Sequence, residues 1–235
     1  MKTALLGYGV VGSGVHALAE ARPEHGITIS RVLVRRDIAP IRAIATRDFQ
    51  EIVSDPSIET VVEVMGGEEP ALTYVKAALA AKKHVVTANK LMLSLHYEEL
   101  LALARANGVR LAFSAAVGGG IPWLANLLRV SRVDRIASLG GIMNGTTNFI
   151  LTAMQQGGAD FAETLAAAQK LGYAEADPTA DIDGLDVRAK LALSCDAAFA
   201  QMADASAIPT LGIRYITAAD VAQFHALGLT CRLIS

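Results

Sequence analysis

The fold is decided by the stretch Gly7-Tyr8-Gly9-Val10-Val11-Gly12, which follows a short apolar run over residues 1–6. Because residues 13–21 have a helical pattern, the sequence predicts a strand, a glycine turn and a helix. The first glycine permits the tight turn, the second admits a pyrophosphate, and the third lets helix and strand pack closely. Helix amides would then bind the phosphates, and the alternative is a glycine turn without a ligand. The predicted dinucleotide-binding residues are Gly7, Gly9, Val10, Val11 and Gly12.

Strand-like and helix-like segments alternate after this unit, as in a parallel, doubly wound sheet. The predicted strands cover residues 27–34, 60–64, 85–90 and 110–114, and the predicted helices cover 70–81 and 123–129. Together they predict a Rossmann-type α/β domain over residues 1–130, which binds ligands at the carboxyl edge of its sheet. Gly66 and Lys90 follow two of these strands and are candidates for that edge. A chance surface position is the alternative for Lys90.

The end of the second predicted strand bears on the choice of cofactor. In NAD-binding domains of this type, an acidic residue near that position holds the ribose 2′-hydroxyl. Here the strand ends in Arg35-Arg36, and two guanidinium groups suit a 2′-phosphate, which favours NADP. Because Asp37 follows directly, NAD stays possible, and a pair of solvated arginines is the simpler alternative.

Composition indicates an ordinary soluble protein of 235 residues with a net charge of −2, large enough for one large core or two small ones. The near-neutral charge, without a long basic run, argues against nucleic acid or an anionic membrane as the main partner. Glycine, proline and polar residues interrupt the long uncharged windows 111–128 and 136–159, so no membrane span is predicted. Cys195 and Cys231 match no metal spacing and are predicted to be reduced thiols of a cytoplasmic protein.

The pattern changes after residue 130, and a second domain of α+β type is predicted over residues 131–235. A strand is predicted over residues 135–143, followed by a capping turn at 144–148. Helices are then predicted over residues 149–156 and 162–171. The last of these helices leads into an acidic stretch, residues 172–190.

The acidic stretch is the strongest candidate for chemistry in the second domain. Pro178 and Gly184 are expected to keep its first four carboxylates outside a regular helix. Asp186 and Lys190 are four residues apart at the start of a predicted helix, so both side chains project from one face. The alternative is an acidic surface loop followed by a simple salt bridge. The carboxylates that precede any cation are Glu175, Asp177, Asp181, Asp183 and Asp186.

Five motifs occur in the order found in homoserine dehydrogenases, and the chain resembles that family over nearly its whole length. They are residues 7–12, Thr87-Ala88-Asn89-Lys90, and residues 115–122, 141–148 and 172–190. The resemblance implies NAD(P)H-dependent, reversible reduction of L-aspartate 4-semialdehyde to L-homoserine, on the path to threonine and methionine. It also implies a homodimer.

The resemblance implies roles for individual side chains in the second domain. Lys190 would donate a proton to the aldehyde oxygen as hydride arrives, which is general acid catalysis. Asp186 would be its catalytic partner, and the acidic residues would hold the substrate's ammonium group and orient the lysine. The substrate-binding residues implied in this way are Glu175, Asp181, Thr146 and Lys90, of which Lys90 would also contact the cofactor.

The resemblance also implies a site for a monovalent cation, Na⁺ or K⁺, which would be held by oxygen ligands. The implied ligands are the backbone carbonyls of Ser114, Val117, Gly119 and Ile121. Ser114 departs from the family pattern, since glutamate is usual at that position.

The C-terminus is a second departure, because Ser235 follows a segment that in the family leads into further strands and helices. The catalytic domain is therefore expected to be incomplete. One alternative is a catalytically silent remnant that binds a dinucleotide or dimerises. Another is a Rossmann-type dehydrogenase that acts on a different small aldehyde or sugar.

Overall fold

The computed structural model describes residues 1–199 and 203–235. The chain divides into two compact units, Met1–Ala125 and Asn126–Ser235. This division falls inside the helix Trp123–Val130, and the boundary predicted from the sequence falls at the end of the same helix.

Unit 1, Met1–Ala125, is built on a six-stranded sheet in which every neighbouring pair of strands is parallel. The strand order is β3-β2-β1-β4-β5-β6, which is the order of doubly wound dinucleotide-binding domains, so the predicted Rossmann-type α/β fold is confirmed. The order reverses between β1 and β4, and such folds bind ligands beyond the carboxyl ends of the strands at this reversal. The strands are β1 (Lys2–Leu6), β2 (Thr28–Leu33), β3 (Ala45–Thr46), β4 (Thr60–Glu63), β5 (His84–Thr87) and β6 (Leu111–Ala112).

The helices of unit 1 follow the strands in the alternation that the sequence predicts. They are α1 (Val10–Ala21), α2 (Gln50–Val53), α3 (Ala71–Ala80), α4 (Lys90–Ala106) and α5 (Trp123–Val130), the last of which continues into unit 2. A buried apolar cluster, which includes Leu5 of β1 and Val32 of β2, packs against Val15 and Ala19 of α1. This packing fixes the start of α1 at the carboxyl end of β1, where a ligand would bind.

The strand predicted over residues 85–90 ends earlier, at Thr87. Asn89 is the N-cap of α4, because its Oδ1 accepts a hydrogen bond from the backbone N–H of Met92 at 3.1 Å. Asparagine is one of the preferred N-cap residues, since its short side chain satisfies an amide that the helix leaves unpaired. Lys90 is therefore the first residue of a helix instead of the last residue of a strand.

Unit 2, Asn126–Ser235, has an apolar core between helices. Ile150, Leu151 and Met154 are fully or almost fully buried on one face of a helix, as their three- and four-residue spacing predicts. Further helices contribute Ala168 and Val221 to the same cluster. Its helices after α5 are α6 (Gly145–Gly157), α7 (Phe161–Lys170), α8 (Thr179–Ile182), α9 (Leu185–Phe199) and α10 (Ala218–Ala226).

The prediction of a strand over residues 135–143 is wrong, because residues 135–144 adopt no regular secondary structure. Within this segment, Gly141 exchanges two backbone hydrogen bonds with Ser235, with N···O distances of 2.9 and 3.0 Å. One such pair is too short for a strand, since a ladder needs several successive paired residues. The segment is therefore an irregular connection with a single pair of backbone contacts to Ser235.

Cys195 and Cys231 are free thiols, as predicted, and partial burial raises the pKa of each. In residues 1–199 and 203–235, none of the helices combines the length and apolar character that crossing a bilayer requires.

Candidate active site

The glycine turn of unit 1 leaves the N-terminus of α1 open to solvent. Gly9 is the N-cap, and no side chain caps the helix. Val10 is 92% exposed and Val11 is 55% exposed, and a Cβ added at Gly9 would find open space. Uncapped amides at a helix N-terminus attract anions, so the turn fits a phosphate-bearing cofactor.

Gly7 and Gly12 allow β1 and α1 to approach closely. The φ of Gly7 is +101°, and a Cβ there would lie 3.0 Å from the carbonyl oxygen of Val64. Gly12 is buried, and a Cβ there would overlap the carbonyl oxygen of Gly7. Both positions therefore need glycine, for the reasons of turn geometry and close packing that the motif predicts.

The two arginines after β2 are exposed, and the carboxylate beside them is already engaged. Asp37 binds the guanidinium group of Arg42 through two hydrogen bonds, of 2.7 Å from Nη2 and 3.3 Å from Nε. Among the described residues, neither Arg35 nor Arg36 forms an ion pair. The charge available at the end of β2 is therefore positive, which suits a phosphate better than a ribose hydroxyl.

A fully buried carboxylate joins the ends of β4 and β5. Glu63 accepts hydrogen bonds from Thr87 Oγ1 at 2.6 Å and from the backbone N–H of Met65 at 2.8 Å. Asn89 Nδ2 donates to the carbonyl oxygen of Gly67 at 2.6 Å. These bonds tie the loop after β4 to the start of α4. Neither Glu63 nor Asn89 was predicted as a residue that positions the site, although an acidic residue at the end of an apolar strand is a signal visible in the sequence.

Gly66 and Lys90 both lie just beyond the carboxyl ends of adjacent strands. Gly66 is exposed in the loop after β4 with a φ of +73°, a conformation that favours glycine. Lys90 is partly buried in the first turn of α4, directly after its N-cap Asn89. Their positions are therefore compatible with the cofactor-binding roles predicted for them.

The carbonyls predicted to bind a cation lie in the connection between β6 and α5. The Ser114 carbonyl accepts a hydrogen bond from Val117 N at 3.3 Å, and the Ile121 carbonyl accepts one from Trp123 N at 2.8 Å. A carbonyl oxygen has two lone pairs, so each of these groups could still bind an ion. The carbonyls of Val117 and Gly119 belong to the same predicted set. The cation site stays a prediction.

In unit 2, Lys190 and Asp186 form an ion pair on one face of α9. Lys190 Nζ lies 2.6 Å from Asp186 Oδ2, and the two side chains are 15% and 5% exposed. The same Nζ donates a hydrogen bond to the carbonyl oxygen of Met143 at 2.8 Å. Shielding from water makes such a pair costly to break, since a lone charge would remain in a dry environment.

Asn144 connects this ion pair to Asp181. Its Nδ2 donates hydrogen bonds to Asp181 Oδ1 at 2.7 Å and to Asp186 Oδ2 at 2.9 Å. Its Oδ1 accepts the backbone N–H of Thr147 at 2.8 Å, so Asn144 is also the N-cap of α6. The capping turn is predicted from the sequence, whereas the link to two carboxylates is not, because no local pattern reports it.

Asp181 lies in the one-turn helix α8, so the expectation that it stays outside regular structure is wrong. A single turn fits between Pro178, which precedes α8 as its N-cap, and Gly184, whose φ of +80° reverses the chain before α9. The turn at Gly184 is what allows Asp181 and Asp186, on successive helices, to reach the same amide of Asn144.

Thr146 and Glu175 occupy different surroundings. Thr146 is buried in the first turn of α6, and its Oγ1 donates a hydrogen bond to the carbonyl oxygen of Tyr173 at 2.6 Å. Glu175 is exposed, and its carboxylate makes no hydrogen bond or ion pair with the described residues. The structure thus joins Asp181, Asp186 and Lys190 in one cluster and leaves the Glu175 carboxylate outside it.

The remaining two carboxylates of the acidic stretch stabilise its turns. Asp177 accepts a hydrogen bond from the backbone N–H of Thr179 at 3.1 Å. Asp183 binds Arg214 through two hydrogen bonds of 2.7 and 2.8 Å. These partners lower the pKa of the two carboxyl groups, through Thr179 in the first case and Arg214 in the second. Both side chains have structural partners of their own.

Comparison with protein families gives two matches that follow each other along the chain. The family model "Homoserine dehydrogenase, NAD binding domain" matches residues 7–114, and the model "Homoserine dehydrogenase" matches residues 122–235. The homoserine dehydrogenase of Synechocystis sp. is 42% identical over 245 residues, which cover 100% of this chain and 57% of that protein. The homoserine dehydrogenase of Bacillus subtilis is 39% identical, with coverages of 100% and 57%. The chain thus spans little more than half the length of these relatives.

Solved structures give the same result. A homoserine dehydrogenase from Thiobacillus denitrificans superimposes with a TM-score of 0.92 at 40% identity, covering 100% of this chain and 57% of that one. A hyperthermophilic archaeal homoserine dehydrogenase in complex with NADPH gives a TM-score of 0.77 at 26% identity, covering 92% and 74%. Because the relatives align along the whole chain and the two family models together match most of it, this chain belongs to the homoserine dehydrogenase family.

Proposed function

We propose that this protein reduces L-aspartate 4-semialdehyde to L-homoserine with NADPH, reversibly, in the biosynthesis of threonine and methionine. The observation that carries the proposal is the shielded pair of Lys190 and Asp186, whose charged atoms lie 2.6 Å apart. Asn144 joins this pair to Asp181, so an ammonium group and two carboxylates lie together in one cluster. A substrate with both an ammonium group and a carbonyl group suits such a cluster.

Lys190 is the general acid in this proposal. Its amine has three N–H donors, and two of them have partners in Asp186 and the Met143 carbonyl. Within the described residues the third donor has no acceptor, which leaves it for the carbonyl oxygen of the substrate. The nicotinamide cofactor supplies the hydride when bound. Lys190 stabilises the negative charge that develops on the oxygen and transfers a proton to it.

The carboxylates bind the other end of the substrate. Asp181 and the exposed Glu175 attract the ammonium group, while Asp186 orients Lys190. Thr146, in the first turn of α6, lies beside the bound substrate. The acidic character of this region matches an amino-acid substrate whose positive charge lies away from the reacting carbonyl. Lys90, at the start of α4, is a further proposed ligand of the cofactor and the substrate.

NADPH is the proposed cofactor, and unit 1 carries the residues that would hold it. The amides of residues 9–12 bind the pyrophosphate, and Gly66 admits the cofactor at the strand edge. Arg35 binds the 2′-phosphate. Asp37, the carboxylate that could otherwise hold a ribose 2′-hydroxyl, already pairs with Arg42. Support for a nicotinamide dinucleotide comes from the matched NAD-binding family model and from the relative described in complex with NADPH.

Three further assignments complete the proposal and rest on the family likeness. The protein acts in the cytoplasm as a homodimer. A monovalent cation, Na⁺ or K⁺, binds the carbonyls at residues 114–121.

The direct test is a spectrophotometric assay of the purified protein with L-homoserine and NADP or NAD. We expect reduction of the nicotinamide that depends on homoserine and is faster with NADP. Protein that binds NADPH but reduces no cofactor in the presence of homoserine would contradict the proposed activity. That result would favour a silent dinucleotide-binding member of the family.

Arg35→Ala tests the assignment of the 2′-phosphate. Loss of a charge-assisted contact should weaken NADPH binding by about 10- to 100-fold and leave NADH binding almost unchanged. Titration of both cofactors by fluorescence measures the two affinities. Arg22→Ala is the matched control, since this exposed arginine follows the opposite end of α1. Equal weakening of both cofactors by Arg35→Ala would remove the argument for a phosphate contact.

A further inference from the structure

We infer that Asn144 is a positioning residue of the proposed active site, which holds Asp181 and Asp186 in place and thereby fixes Asp186 against Lys190. This inference rests on the proposed function, because it assigns Asn144 a part in the same reaction. It is carried by four hydrogen bonds in which the Asn144 side chain takes part, and by its burial at 5% exposure.

The orientation of the Asn144 amide is dictated by the backbone of α6. The N–H of Thr147 lies 2.8 Å from the amide oxygen, and a backbone N–H can only donate a hydrogen bond. The Thr147 hydroxyl is a further partner of that oxygen, at 3.0 Å. The oxygen of the amide must therefore face the helix, and its NH₂ group must face the acidic stretch.

The NH₂ group has two hydrogens, and each has a carboxylate partner. Nδ2 donates one hydrogen to Asp181 Oδ1, at an N···O distance of 2.7 Å, and the other to Asp186 Oδ2, at 2.9 Å. Since an NH₂ group only donates, both carboxylate oxygens are held as acceptors. Asp181 and Asp186 belong to different helices, so this one amide sets the spacing between two parts of the proposed site.

The oxygen that Asn144 binds is the oxygen that Lys190 binds. Asp186 Oδ2 lies 2.9 Å from Asn144 Nδ2 and 2.6 Å from Lys190 Nζ. Met143, the neighbour of Asn144, accepts a hydrogen bond from the same Nζ. Two successive residues thus hold the ion pair, because Met143 contacts Lys190 and Asn144 contacts Asp186. Rotation of Asp186 away from Lys190 would also break its bond to Asn144.

Capping α6 does not by itself require asparagine. Serine, threonine and aspartate are preferred N-cap residues as well, because each carries an oxygen that accepts the helix amide. Asparagine is the member of this group that combines such an oxygen with two N–H donors. The carboxylate contacts at Asn144 thus use a property that helix capping does not need.

Asn144→Ser and Asn144→Asp, made in the full chain, separate the two roles. Both keep an oxygen that can cap α6, and both lose the N–H donors. Misplacement of a catalytic group is expected to lower kcat for homoserine oxidation by about 10- to 100-fold in Asn144→Ser, with KM for NADP unchanged. Asn144→Asp should lose more, although it matches asparagine in size, because it sets a third carboxylate against Asp181 and Asp186.

Asp160→Asn is the matched control, because Asp160 is the exposed N-cap of α7 and accepts the Glu163 amide at 2.8 Å. This variant is the reverse of the Asn144→Asp change, made at a cap that does not contact Asp181, Asp186 or Lys190. It should leave kcat unchanged. Thermal melting of each variant reports whether the cap is kept. Wild-type kcat in a folded Asn144→Ser variant would overturn the inference.

Failure of the proposed function would look different, since the wild-type protein would then show no homoserine-dependent turnover. In that case the inference is tested by NMR of the side-chain carboxyl groups, assigned with Asp181→Asn and Asp186→Asn. Asn144→Ser should shift the signals of both Asp181 and Asp186, whereas Asp160→Asn should shift neither. Unchanged signals in Asn144→Ser would overturn the inference independently of any activity.

Discussion

Replacement of Lys190 by methionine is expected to lower kcat for homoserine oxidation by about 10²- to 10⁴-fold, the usual contribution of a general acid or base. Methionine retains most of the length of lysine but cannot donate a proton. The change also removes the ammonium group that lies 2.6 Å from Asp186, while the Asn144 amide keeps its contact with that carboxylate. NADPH affinity should stay at the wild-type value, because the predicted phosphate-binding residues lie in unit 1.

Steady-state assays and NADPH titration together test this prediction. Breaking a buried ion pair costs about 3–5 kcal/mol in stability, so thermal melting must accompany the assays to show that the variant is folded. Lys170→Met is the control, since Lys170 is an exposed lysine in the last turn of α7. A folded Lys190→Met variant with undiminished turnover would exclude Lys190 as the general acid.

Gly12→Ala is expected to have the largest effect in unit 1. The added Cβ would overlap the carbonyl oxygen of Gly7, and a backbone atom cannot move aside as a flexible side chain could. Overpacking of this kind costs about 1–3 kcal/mol, occasionally more, from a net stability of only about 5–15 kcal/mol. Because α1 would shift away from β1, we also expect NADPH binding to be lost.

Gly14→Ala provides a matched control two residues along the same helix. A Cβ at Gly14 would have nothing within 4 Å, and alanine favours a helix over glycine by about 1 kcal/mol. This variant should therefore melt at or slightly above the wild-type temperature and bind NADPH normally. Thermal denaturation and cofactor titration of the pair give the comparison. Equal behaviour of the two variants would show that the close approach at Gly12 is unimportant.

Local sequence patterns were sufficient for most of the fold in unit 1. The glycine stretch predicts the turn between β1 and α1 because tight turns and close packing restrict which residues can occupy those positions. The predicted strand over residues 60–64 and the observed strand Thr60–Glu63 agree closely. The predicted boundaries differ from the observed ones where a cap decides them. The side-chain oxygen of Asn89, two residues after the end of β5, caps α4 so that the helix begins at Lys90, and a run of apolar residues does not report this.

The incorrect prediction of a strand over residues 135–143 has a different cause. Apolar residues in an irregular connection have the same composition as a strand, and only a neighbouring partner makes them one. Here the backbone of the segment pairs with Ser235 at Gly141, and this pairing does not extend into a ladder. The sequence of the segment contains no information about whether such a partner lies beside it.

The sequence by itself determined the Rossmann-type domain, the family motifs and the four-residue spacing that puts Asp186 and Lys190 on one helix face. These features depend on backbone geometry within a few residues. The tertiary structure alone decided that Asn144 bridges Asp181 and Asp186, and that Met143 contacts Lys190, across sequence separations of 37, 42 and 47 residues. Contacts over such separations depend on how the helices of unit 2 pack around their shared apolar core, which no local pattern specifies.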